Sequence, residues 1–208
     1  MGRRAADIDK ELLAKGLELA QKFGINGFSI RNLCKEAGVN LGMFHYYFKS
    51  RQNFNEEVLK YGYSHLVRQI ETIDKSNLPP RENIKTILLE VNLFAKQNRK
   101  ILSAMAGDAL SGDKTTIDFI IKNFTKHIEL IIKALSSAKG LKDKAAKQHI
   151  LSLTPAIFMP VAIPQLLCGL MERTGNKKML KFLDGEVNSD KNLNLRIDML
   201  LDSVFEDN

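Results

Sequence analysis

The side chains of this chain best equipped for recognition chemistry fall between residues 24 and 51. Met43, Phe44, His45, Tyr46, Tyr47 and Phe48 follow one another there, and Lys49, Ser50 and Arg51 come directly after. Aromatic faces, hydroxyls, an imidazole and two permanent cations can pack, donate hydrogen bonds and neutralise phosphate. They do not form a set that makes or breaks covalent bonds. The chemistry they suit is insertion of a short helix into a DNA groove.

Groove insertion needs a braced helix, and the flanking residues supply the brace. Helical spacing of Ile8, Leu12, Gly16, Leu19 and Phe23 predicts a first helix that Gly24 ends. Ser29 stands where an N-cap belongs, before a helix over 30–37. Gly38-Val39-Asn40 then makes a tight turn: Gly38 for a left-handed backbone, Val39 to pack between the helices, Asn40 to cap a helix over 41–48. Ser50 can cap a fourth helix reaching about Ile73. Ile30, Leu33, Cys34, Ala37, Phe44 and Phe48 form the expected apolar seam. That leaves Leu41, Gly42, Met43, His45, Tyr46 and Tyr47 to be shared between groove and support.

The remaining chain also reads as helix, with no alternating strand pattern, internal repeat or low-complexity segment. The break at 74–80 ends in Pro79-Pro80. Apolar spacing then predicts helices around 84–94, 101–110 and 117–135, a long one over about 143–173 bent or broken near its prolines, and a last one over about 191–206. The fold expected is all-α, with about nine helices: an N-terminal three-helix helix-turn-helix domain (1–50) and a C-terminal helical domain (51–208). Hydrophobic residues make up 44% and charged residues 26%, which places the chain among globular proteins rather than disordered ones. A net charge of +7 favours a polyanionic partner, nucleic acid or an acidic membrane surface.

Other chemistries find little support. Cys34 and Cys168 stand far apart, with no Cys/His cluster, so no zinc or other metal site, no cofactor and reduced thiols are expected. The segment from Gly107 to Thr115 looks like a phosphate-binding loop but has one residue too many before Lys114 and no strand ahead of it. No Gly-x-Ser-x-Gly or His-Glu-x-x-His pattern occurs, and no catalytic residue is assigned. Residues 151–171 are uncharged and long enough to span a bilayer, but Pro155, Pro160 and Pro164 argue for a helix buried in protein. Arg3 and Arg4 have no apolar run behind them, so no signal peptide is expected and the location expected is cytoplasmic.

From about Leu12 to Phe54 the chain resembles the DNA-binding domain of the TetR/AcrR family of bacterial transcriptional regulators. The resemblance rests on Leu19, Gly24, Ser29, Ile30-Arg31-x-Leu33, Ala37-Gly38-Val39, Gly42 and the run from Phe44 to Arg51, about a quarter of the chain. It implies that Arg31 reaches a base and that Leu41, Gly42, Met43 and His45 face base edges. It further implies that Ser29, Tyr46, Tyr47, Lys49 and Arg51 hold or lie near phosphates. Two positions depart from the family pattern: Leu41 stands where polar or basic residues are frequent, and Met43 where Ser or Thr is common. Both point to thymine methyls and DNA shape more than to base hydrogen bonds.

The resemblance also implies an effector cavity in the C-terminal domain. Residues assigned to it are Phe94, Met105, Asn123, Phe124, His127, Phe158 and Gln165, with Asn92 a further polar candidate, and they suit a small, largely apolar ligand. A homodimer through the helices at about 143–173 and 191–206 would place two reading heads on a palindromic double-stranded operator. The function expected is a ligand-released regulator, repression being the family's more usual mode. The alternative is a basic helical protein that binds a membrane or a small molecule without specific DNA recognition.

Overall fold

Cap residues divide the N-terminal region into helices where the sequence places them. In the computed structural model, which describes residues 8–114, 116–123 and 144–205, with the side chains of 144–158 and 204 outside the description, α1 covers Ile8–Phe23 and ends at Gly24. Ser29 caps α2 (Ile30–Ala37) by accepting from the Asn32 N–H at 3.1 Å. Gly38, at φ 64° and ψ 33°, turns the chain, and its N–H returns to the carbonyls of Cys34 and Lys35. Asn40 caps α3 (Leu41–Phe48) by accepting from the Met43 N–H at 2.9 Å. Ser50 does the same for α4 (Arg51–Asp74), accepting from Asn53 N–H at 3.1 Å.

The chain forms two compact units, Met1–His65 and Leu66–Asn208, divided within α4. In the first, Leu12, Leu19, Leu33, Phe44, Phe48, Phe54 and Val58 are buried. Phe44, Phe48 and Phe54 interlock with ring centroids 4.9–5.5 Å apart, the separation of favourable edge and tilted aromatic pairs. These rings lock α3 onto α4 through Phe44 and Phe48.

The second unit contains α5 (Pro80–Gln97), α6 (Arg99–Leu110), helical residues 116–123, α7 (Lys144–Thr174), α8 (Lys177–Phe182), a π-helical turn (Leu183–Val187) and α9 (Asp190–Phe205). Its core joins Leu66 and Ile70 of α4 to Ile84, Ile87, Leu88 and Val91 of α5, Val161 of α7, and Leu193, Ile197 and Leu201 of α9. The described residues contain helices and no strand, in keeping with the all-α expectation. Residues 124–135 of the expected apolar stripe lie outside the described residues.

α7 was expected to bend or break near its prolines, and it does not break: helix is continuous from Lys144 to Thr174. Pro164 has no N–H to give the carbonyl of Pro160, four residues back. Arg196 of α9 supplies the missing donor, its Nε reaching that carbonyl at 3.1 Å while Nη1 reaches the Val187 carbonyl at 2.6 Å. No described helix is long and apolar enough to cross a membrane. Cys34 and Cys168 are free and buried, and burial pushes both thiols up from their ordinary range, which keeps them protonated.

Candidate nucleic-acid interface

The helical period sorts the residues of α3. At about 100° per residue, Leu41, Gly42, His45 and Tyr46 fall within one arc of about 140°. All four are exposed, Leu41 at 38% and Tyr46 at 75%. Phe44 and Phe48 adjoin the Leu41 edge of that arc and are buried. Met43 and Tyr47 lie half-buried on the side away from that arc. His45 is central on the open face, its ring braced edge-on by Phe44 at 5.5 Å. A Cβ on Gly42 would meet only the Asn40 Oδ1, at 3.2 Å, so its surface is open to close approach of a partner.

Polar groups flank this face. Ser29 and Arg31 are exposed at the start of α2. The Ser29 hydroxyl oxygen accepts the cap hydrogen bond, which leaves its proton to donate outward. Between 29 and 51, the cations Arg31, Lys35, Lys49 and Arg51 face a single acidic residue, Glu36. Tyr46 and Tyr47 stack edge-on at 5.1 Å, which fixes the ring of the far more exposed Tyr46.

Lys49 has a backbone conformation that its residue type does not announce. It has φ 61° and ψ −46°, the one non-glycine residue at positive φ among those described. The Phe48 carbonyl accepts from the Ser50 N–H at 2.6 Å across it, a γ-turn of the rare, strained hand. This turn reverses the chain between α3 and α4 within two residues and leaves the Lys49 side chain exposed. Lys49→Gly removes both the strain and the charge. We expect it to raise unfolding stability by about 1 kcal/mol while weakening DNA binding. Denaturant titration read beside duplex titration checks the two opposite signs.

Arg51 is placed differently from its neighbours. Its Nη2 donates to the Ile25 carbonyl at 3.3 Å, and the guanidinium lies 5.4 Å from the Phe28 ring centroid.

The expected effector residues are placed less coherently. Phe124 and His127 lie outside the described residues, as does the side chain of Phe158. Met105 is buried on α6, and Phe94 packs half-buried against the core of the second unit. Asn123 donates to the Phe119 carbonyl within its own helix, at 2.7 Å. Gln165 is 1% exposed, and both ends of its amide are taken. Its Oε1 accepts from Arg99 Nε at 2.8 Å and Nη2 at 2.6 Å, and its Nε2 donates to Asn92 Oδ1 at 2.7 Å. Arg99 continues to Asp184 and lies 3.6 Å from Glu172. Sequence reasoning missed Arg99 as the hub: one arginine in a basic chain carries no mark of burial.

Residues 12–58 match the sequence model of the bacterial regulatory proteins of the tetR family. The HTH-type transcriptional regulator PksA of Bacillus subtilis is 34% identical over 68 residues, 33% of this chain and 33% of that protein, so the match spans a third of its length. YttP of Bacillus subtilis, named a probable HTH-type transcriptional regulator, is 23% identical over 163 residues, 76% of this chain and 78% of that protein. Among solved structures, a TetR transcription regulator from Haloarcula marismortui superposes with a TM-score of 0.70 at 13% identity, covering 95% of this chain and 98% of that one. At that identity the superposition speaks for the fold alone. The segment matched by the family model contains the open face of α3. Residues 12–58 are thus similar to the DNA-binding segment of the tetR family of bacterial regulatory proteins, and the chain as a whole shares the fold of a solved TetR regulator.

Proposed function

We propose that this protein is a ligand-responsive transcriptional repressor that binds a palindromic DNA operator as a homodimer and is released by a small, largely apolar effector. The observation that carries the reading is the open face of α3: Leu41, Gly42, His45 and Tyr46 stand clear of a core that holds the helix rigidly, with Arg31, Ser29 and Lys49 beside it. His45 is placed to read a base edge, Leu41 a thymine methyl, and Ser29, Tyr46 and Lys49 the backbone. Residues 1–50 act as the reading head and 51–208 as the effector-binding and dimerising body, at work in the cytoplasm.

Two exposed apolar rows support the dimer. Met159, Ile163, Leu167 and Leu170 run along α7 at helical spacing, and Leu195 and Met199 along α9. Val161, Gln165, Cys168, Leu193, Ile197 and Leu201 are buried on the same two helices, which also touch one another. A second copy of the pair would cover these rows and give two heads on one duplex. Leu167→Glu leaves the buried face untouched. We expect it to halve the solution mass from twice 23.5 kDa and to weaken operator binding about 100-fold through lost bivalency. Sedimentation and DNA titration of that variant check both.

We place the effector near Phe94, Met105, Asn123, Phe124, His127, Phe158 and Gln165. An effector that donates to the Gln165 Oε1 must displace Arg99 from it, which offers a route from ligand to helix movement. Footprinting on DNA upstream of the protein's own gene tests the function. Symmetric protection that is lost as salt rises is expected, and equal affinity for a random duplex at every salt would count against it.

A further inference from the structure

α4 opens with Arg51, whose guanidinium turns to the protein. Its Nη2 donates to the Ile25 carbonyl at 3.3 Å, its Cζ lies over the Phe28 ring 5.4 Å from the centroid, and its Nε is buried without a hydrogen-bond partner. One turn further along α4, Asn55 Nδ2 donates to Asn26 Oδ1 at 3.0 Å. Both contacts end on the turn between α1 and α2. Ile25 and Phe28 are 5% and 7% exposed, so the cation rests on a fixed carbonyl and a fixed ring. Ser29 follows directly, and its side chain starts α2 two residues before Arg31. An arginine stacked on an aromatic face and bonded to a carbonyl serves as a rigid brace, a role that lysine fills poorly.

We propose that Arg51 and Asn55 are positioning residues: they fasten the first turn of α4 to the α1–α2 turn and thereby set where Ser29 and Arg31 meet DNA, and Arg51 is not itself a phosphate ligand. This rests on the DNA-binding reading above.

The test uses the full chain and a random-sequence duplex, titrated across a range of KCl concentrations. The slope of log affinity against log salt counts neutralised phosphates, at about 0.9 for each cation removed. Lys49→Gln provides the reference for a phosphate ligand. For Arg51→Gln, the affinity is expected to fall about tenfold while the slope shifts by less than about 0.3. Arg51→Lys, which keeps the charge, should not restore the affinity, and Asn55→Ala should lower it in the same direction. Amide hydrogen exchange at residues 24–32 should quicken in Arg51→Gln and Asn55→Ala without DNA present. The proposal is overturned if Arg51→Gln loses as much slope as Lys49→Gln and Arg51→Lys restores it, or if exchange at 24–32 is unchanged. If the unaltered chain binds no duplex, the regulator reading fails, and exchange alone decides the brace.

Discussion

Gly27→Ala should cost the N-terminal unit about 3 kcal/mol and remove DNA binding with it. A Cβ at this position would lie 1.9 Å from the Phe23 carbonyl oxygen and 2.7 Å from its carbon. These are backbone atoms at the end of α1, which cannot swing aside as a side-chain tip can. The turn from Gly24 to Phe28 must therefore open. Opening it lifts Ile25 and Phe28 out of the core, breaks the Gly27 N–H bond to the Gly24 carbonyl at 2.9 Å, and moves the Ser29 cap. Gly24 is the control: its φ is 86° and a Cβ there meets nothing within 4 Å. Gly24→Ala thus carries backbone strain alone, about 1 kcal/mol. Urea denaturation of both variants, followed by circular dichroism, should rank Gly27→Ala well below Gly24→Ala. Equal losses would contradict the close approach.

Arg99→Met should be the most damaging single change in the second unit. Arg99 is 7% exposed and ties Gln165 of α7 to Asp184 of the π-helical turn, with Glu172 close by. Removing the guanidinium leaves the buried Gln165 oxygen without its donors and the Asp184 and Glu172 carboxylates without that cation. Breaking a fully buried pair this way costs about 3–5 kcal/mol. Asp184 keeps a side-chain exposure of 38%, so water can reclaim part of its charge, and the expected loss falls to about 2–4 kcal/mol. Thermal unfolding should then shift down by about 5–15 °C. Adding Asp184→Leu to Arg99→Met should recover part of that loss by removing a stranded charge. No recovery would show that Arg99 acts through packing alone.

The head was largely legible because its signals are local. Ser29, Gly38, Asn40 and Ser50 each perform a backbone task set by their own chemistry, and each lies where its neighbours in sequence demand it. The buried pair Phe44 and Phe48 follows from a four-residue spacing, and the family resemblance rests on these same short intervals. What escaped notice depends on distance or on backbone detail. Nothing in Lys49-Ser50 announces a positive φ at a lysine. Arg51 reads as one more surface cation until the fold brings Ile25 and Phe28 beneath it. Arg196 and Pro160 stand 36 residues apart, so the carbonyl left open by Pro164 finds its donor only in the folded chain. The same holds for Arg99, Gln165 and Asp184, which makes the proposed effector region the least readable part of the sequence.

Selection from a random-sequence duplex library with the full-length protein, carried out at near-physiological salt, tests the central claim most directly. The account predicts enrichment of a two-fold symmetric sequence whose half-sites lie about one helical turn apart. Affinity for it should exceed that for random duplex by about 1,000-fold or more. His45→Ala should relax preference at one position of each half-site, at about 1–3 kcal/mol, without lowering affinity evenly across sequences. A library that shows no enrichment beyond salt-sensitive, sequence-blind binding, or an enriched site without symmetry, would contradict it.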